Sequence, residues 1–134
     1  MIDHFSLPVS EIERARRLYD TVLGTLGYRR RKDIGNEHSS GSGYGPEGGV
    51  EPGFWIAAPK QLPGGLAPLR QGSHVAFHAA SRAAVDAWHA AALAHGCEDN
   101  GPPGLRPHYG PTYYAAFAID PDGNHIEAVC HRAE

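Results

Sequence analysis

The first ten residues alternate in the manner of a strand, with Ile2, His4 and Ser6 on one side and Phe5, Leu7 and Val9 on the other. The period then changes. Ile12, Ala15, Tyr19, Val22 and Leu26 recur at helical spacing, and the arginines of this stretch fall largely off that stripe. Ser10-Glu11-Ile12-Glu13 fits a capping box at the helix start, and Gly24 and Gly27 mark its exit. Tyr28 to Ile34 reads as a second strand, charged enough to expose one face. Gly41-Ser42-Gly43-Tyr44-Gly45 lacks the third glycine of a dinucleotide fingerprint and reads instead as a glycine-rich strand. Pro46 to Gly49 is a turn, Phe54 to Ala58 a short apolar strand, and Pro59 to Gly72 a Pro/Gly-rich connector.

The pattern then begins again. His74-Val75-Ala76-Phe77-His78-Ala79 alternates as the first strand does, and Ser81 precedes a helix with Val85, Trp88, Ala92 and Leu93 as its stripe, ending at Gly96. Glu98 to Gly110 reads mostly as loop, because it carries two consecutive prolines. Tyr113 to Ile119 is a strand, Asp120-Pro121-Asp122-Gly123 a strong turn signal, and Asn124 to Cys130 the last strand. Each half therefore runs strand, helix, then two or three strands. A half of this kind leaves one sheet face bare, so two must pair, within one chain or across a dimer.

Composition narrows the function classes. The chain has 134 residues, 41% hydrophobic and 20% charged, which fits one folded domain and excludes wholesale disorder. No apolar run approaches the ~18 residues of a membrane span, and no signal peptide is visible, so a cytoplasmic protein is expected. The two cysteines, Cys97 and Cys130, lack CxxC spacing and are expected as buried thiols. Net charge is −3, and the one basic cluster comprises Arg14, Arg16, Arg17 and Arg29 to Lys32. That balance argues against nucleic acid as a partner. Nine histidines carry the remaining information.

Three segments together resemble the vicinal oxygen chelate superfamily, which includes glyoxalase I, extradiol dioxygenases, fosfomycin-resistance enzymes and bleomycin-binding proteins. They are Ile2-Asp3-His4-Phe5-Ser6-Leu7, His74-Val75-Ala76-Phe77, and Asp120-Pro121-Asp122-Gly123-Asn124-His125-Ile126-Glu127-Ala128-Val129. The resemblance spans almost the whole chain, and its last segment is the most specific. It implies an α+β fold of two paired βαβββ modules, about 1–60 and 72–134, within a single domain over 1–134. Their curved mixed sheets would form a central cup, with the helices outside.

The family's metal-ligand positions match His4, His74 and Glu127. Strand parity agrees: both histidines point away from their helices, and Glu127 lies opposite in parity to Ile126 and Ala128. Two imidazoles and a carboxylate suit a divalent transition metal, here Fe, Mn, Ni or Zn. The family's fourth ligand position falls on Phe54-Trp55-Ile56-Ala57-Ala58, where Ile56 or Ala57 stands in place of a donor. This departure argues against strict glyoxalase I activity. A three-ligand site is closer to the extradiol arrangement, although the well-known extradiol enzymes are usually twice this length.

Other candidates follow from residue chemistry. The loop Arg106-Pro107-His108-Tyr109-Gly110-Pro111 is a candidate substrate-facing rim, with His108 or Tyr109 as general acid or base. A rigid surface loop is the alternative. Trp55, Arg106 and Tyr114 are candidates to line a substrate pocket, although large aromatics in such sheets are more often core. His78 and His125 share faces with the ligand positions and are candidates to hydrogen-bond to them, with surface or packing roles as the alternative. The leading expectation is a small metal-dependent lyase, isomerase or dioxygenase that binds a small molecule through vicinal oxygens, with a homodimer preferred. The competing expectation is a metal-free binding or sequestering protein of the bleomycin-resistance kind.

Overall fold

The computed structural model describes residues 3–37, 39–49, 51–59 and 73–133. The chain divides into two compact units, Met1–Pro68 and Leu69–Glu134. Unit 1 contains β1 (Phe5–Pro8), α1 (Ile12–Gly24), β2 (Tyr28–Gly35), β3 (Ser39–Pro46) and β4 (Phe54–Pro59). Unit 2 contains β5 (Val75–His78), α2 (Arg82–Ala94), β6 (Glu98–Leu105), β7 (Tyr114–Ile119) and β8 (His125–Cys130). The sheet orders are β1-β4-β3-β2 and β5-β8-β7-β6. In each, the first strand pairs in parallel with the last, and the remaining pairs are antiparallel. These are two βαβββ units of an α+β protein, as the repeat predicts.

In unit 1, Leu7 and Val9 are buried and His4 and Ser6 exposed, as the alternation predicts, but Phe5, expected on the core side, is exposed at the start of β1. Helix α1 packs on β2, β3 and β4 and buries Ala15, Leu18, Tyr19, Val22 and Leu23. Tyr19, Tyr44 and Phe54 form an aromatic cluster, with centroids 5.4 to 6.4 Å apart. The helix start lies one residue beyond the expected capping box, which placed the N-cap at Ser10. The helix starts at Ile12 with Glu11 at its N-cap, and the Glu13 carboxylate is engaged by Arg16 Nη1 at 2.6 Å. Most of the basic cluster is spent inside the unit. Arg16 donates to Ser42, Arg30 pairs with Asp20, and Arg31 donates to the carbonyls of Pro46 and Gly49.

In unit 2, α2 buries Val85, Trp88, His89 and Ala92. Leu93, expected on the buried stripe, is exposed, and His89 is buried instead, its Nε2 lying 3.1 Å from Asp99 Oδ1. Ser81 Oγ accepts a hydrogen bond from the Ala84 backbone N–H at 3.1 Å, the N-cap that the sequence predicts. Ser81→Ala should therefore cost about 1 kcal/mol in urea denaturation, with the midpoint falling and the slope unchanged.

The segment expected as loop, Glu98 to Gly110, begins with strand β6. Its prolines are tolerated because β6 lies at the sheet edge, where one row of backbone groups needs no partner. Register shifts between Asp99 and Gly101 and between Gly101 and Gly104 absorb them further. The Asp120 turn closes with Gly123 N–H donating to Asp120 O at 2.8 Å, and Gly123 adopts φ +83°, which favours glycine. Cys97 and Cys130 are free and buried, as expected, and burial pushes the Cys97 thiol up to about 12. Among the described residues no helix is long and apolar enough to cross a membrane. Most of the expected connector, 60–72, lies outside the described residues, as do Ile2 and His38.

Candidate functional site

Strand β8 is the middle of the site in unit 2. Strand alternation puts Ile126, Ala128 and Cys130 on one face, all nearly or fully buried, and Glu127 on the other. In the ladders Glu127 lies opposite Ala76 of β5 and Phe117 of β7. Its carboxylate is only 1% exposed, so both oxygens need partners. Oε2 lies 2.9 Å from His74 Nε2, and Oε1 accepts from the Tyr113 hydroxyl at 2.7 Å. His74, Tyr109, Tyr113, Phe117 and Glu127 line a cleft of about 230 Å³. The Phe117 ring meets His74 edge-on at 6.4 Å, and Tyr109 tilts against Tyr113 at 5.3 Å.

This arrangement joins two of the three expected metal ligands. A nitrogen and an oxygen 2.9 Å apart are spaced like neighbouring donors on one ion with bonds of ~2.1 Å at right angles, which would lie about 3.0 Å apart. The donor types also suit a divalent transition metal. Among the described residues, no group of three or more His, Cys, Asp or Glu side chains is gathered as a metal would need. His4 belongs to unit 1. There Asp3 Oδ1 lies 2.7 Å from its Nδ1, so Nδ1 is the nitrogen that donates to the carboxylate and Nε2 is the one left for another partner.

The sequence candidates separate on inspection. Tyr109 lines the cleft, and His108, tilted against the Tyr109 ring at 4.1 Å, does not. Arg106 does not line it either. Its guanidinium donates to the carbonyls of Pro102 and Leu105 and sits over the Phe117 ring, so it braces the end of β6. Tyr114 is turned the other way: its hydroxyl donates to Asp86 of α2 at 2.8 Å, and Arg82 of α2 lies over its ring. Trp55 lines a separate cleft in unit 1 with His4 and Ser6. His125 lies 3.4 Å from Asn100 at a small pocket beside His74, and His78 is exposed.

Sequence reading passed over Tyr113 and Phe117. A signal existed: the Asp120 turn sets Ile119 opposite His125, hence Phe117 opposite Glu127, and Tyr113 shares the parity of Phe117. Choosing Tyr114 instead of Tyr113 is a one-residue slip, and such a slip exchanges the two faces of a strand. Burial, reinforced by the hydrogen bond to Glu127, pushes the Tyr113 phenol up to about 12, so it remains a neutral donor at physiological pH. Tyr113→Phe would leave a buried carboxylate oxygen without its donor. It should cost about 2 kcal/mol in urea denaturation, the scale of a hydrogen bond to a charged group.

A βαβββ repeat with a His–carboxylate pair beside a cleft is the arrangement that the sequence resemblance implies. The chain belongs to the Glyoxalase/Bleomycin resistance protein/Dioxygenase superfamily, whose family model matches residues 1–128. Among solved structures it is similar to a glyoxalase/bleomycin resistance protein from Albidiferax ferrireducens T118. Identity there is 30%, coverage 97% of this chain and 98% of the other, and the TM-score 0.72. A glyoxylase/bleomycin resistance protein/dioxygenase domain from Frankia sp. EAN1pec matches at 19% identity, 98% coverage of both chains and TM-score 0.73. The genomically encoded fosfomycin resistance protein FosX from Listeria monocytogenes matches at 17% identity, covering 98% of this chain and 93% of its own, with TM-score 0.65. The last two likenesses concern the fold alone. Comparison with curated proteins gives no match.

Proposed function

We propose that this chain is a divalent-metal-dependent protein acting on a small substrate with vicinal oxygens. His74 and Glu127 would hold the ion, with His4 as the further donor that the sequence supplies. The observation that carries this reading is the Glu127 carboxylate, almost wholly buried yet 2.9 Å from an imidazole nitrogen at a cleft. A carboxylate is expensive to bury, and here it is buried beside a second metal-ligand group. When bound, a divalent ion supplies Lewis acidity toward the substrate's oxygens. The chain's own residues do the rest. Tyr113 holds Oε1, which leaves Oε2 as the oxygen presented beside His74. Tyr109, Tyr113 and Phe117 supply aromatic walls for the substrate's carbon skeleton. Lyase, isomerase and dioxygenase reactions all fit a donor set with positions left for substrate.

The test is calorimetric titration of metal-stripped protein with Zn, Ni, Mn and Fe(II), followed by acetohydroxamate. One ion per chain, retained more tightly once hydroxamate is present, supports the reading. No saturable binding at concentrations on the order of millimolar overturns it. One observation favours a metal-free alternative of the bleomycin-resistance kind: both Glu127 oxygens already have protein partners. On that reading the aromatic cleft binds its ligand equally well in the presence of chelator.

A further inference from the structure

The two units can be superposed residue by residue through their strand registers. In unit 2 the parallel ladder pairs Val75 with Ile126 and Ala76 with Glu127. In unit 1 it pairs Phe5 with Phe54 and Ser6 with Trp55. His4 directly precedes β1 as His74 directly precedes β5, so the unit 1 counterpart of Glu127 is Trp55. This corrects the sequence expectation, which put Ile56 or Ala57 there. Ile56 is fully buried and has the opposite parity. An indole thus stands where the other half of the repeat carries its carboxylate.

The surroundings are built for that ring. Trp55 pairs across the ladder with Gly43, and a Cβ on Gly43 would come within 2.8 Å of Trp55 Cε2 and 2.7 Å of Pro52 Cβ. Only glycine therefore lets the indole lie against β3. Its Nε1–H donates to the Pro52 carbonyl at 3.2 Å, which fixes the ring and satisfies its one polar atom. The cleft above it measures about 210 Å³ and is lined by His4, Ser6, Ile34, Trp55, Ile56 and Ala57. Among the described residues its lining is mainly apolar, with no carboxylate, lysine or arginine. For scale, a cavity of roughly 150 Å³ accepts benzene, so this one admits a single ring with a small substituent.

We propose that the unit 1 cleft is a binding site for a single-ring aromatic compound with one polar substituent, the ring stacking on Trp55. His4, whose Nδ1 is engaged by Asp3, and Ser6 are the polar residues of the cleft lining. An aliphatic ring of the same size has no π face to offer the indole. His4 is also the further donor of the proposed metal set, so the test is run metal-free, where aromatic binding is read apart from metal binding.

The test uses the full chain kept metal-free with chelator, and 4-fluorophenol observed by fluorine NMR. Saturable binding is expected, with 4-methylcyclohexanol competing at least about 5-fold more weakly than p-cresol. Trp55→Leu should weaken 4-fluorophenol binding by about 10-fold or more, whereas Trp55→Phe, which keeps an aromatic face, should lose only a few-fold. Circular-dichroism melting checks that each variant is folded. If Trp55→Leu does not fold, the p-cresol comparison and Trp55→Phe decide the matter. Equal competition by the two alcohols, or wild-type affinity in folded Trp55→Leu, overturns the proposal.

Discussion

Glu127→Ala is expected to lower divalent-metal affinity by more than about 100-fold, and His74→Ala to do the same. These side chains form a donor pair at the unit 2 cleft, and Glu127 is the anionic member of the expected ligand set. Loss of a group that merely orients a ligand already costs ~10–100-fold in metal affinity, so loss of a ligand itself must cost more. His78→Ala is the control, because His78 is an exposed histidine on the neighbouring strand β5. Its metal content after dialysis should equal that of wild type. Glu127→Ala has a second effect. It leaves the Tyr113 hydroxyl without its acceptor, so the metal-free variant should also be less stable, by about 1–3 kcal/mol in urea denaturation. Wild-type metal content in both ligand variants would reject the site.

Asp120→Ala is expected to be the most destabilising single change in the turn before β8, by about 3 kcal/mol. Asp120 is 3% exposed. Its Oδ1 accepts the backbone N–H groups of Asp122 and Asn124 at 2.9 and 2.8 Å, and its Oδ2 accepts from Asn124 Nδ2 at 2.9 Å. Removing the carboxylate orphans several donors at a buried turn, the case in which hydrogen bonds matter most. Asp120→Asn keeps an oxygen for the backbone donors and should lose less. The same turn sets the β7–β8 register, and with it the placement of Glu127 opposite Phe117. Asp120→Ala should therefore also weaken metal binding without touching a ligand. Urea denaturation followed by metal titration of the folded variant checks both effects. A variant as stable as wild type would show that the turn is held by its backbone alone.

The sequence determined what repetition and period can carry. Alternation in His4 to Val9 and in His74 to Ala79, the apolar stripes of two helices, the Ser81 cap and the Asp120 turn specify two βαβββ units, because each is a local signal read within a few residues. The pair His74 and Glu127 was legible through the family resemblance, with parity counted along the first and last strands of the half in agreement. What tertiary structure decided is pairing. That β6 is a strand despite Pro102 and Pro103 depends on its place at a sheet edge, which no local signal reveals. The role of Tyr113 rather than Tyr114 depends on which face of β7 meets Glu127, and faces exchange with a register shift of one residue. Arg106 presented a cation to sequence reading, but the fold folds it back on its own strand and over Phe117. Trp55 became the counterpart of Glu127 only through the β1–β4 ladder, since equivalence between repeats is set by hydrogen-bonded partners and not by sequence spacing.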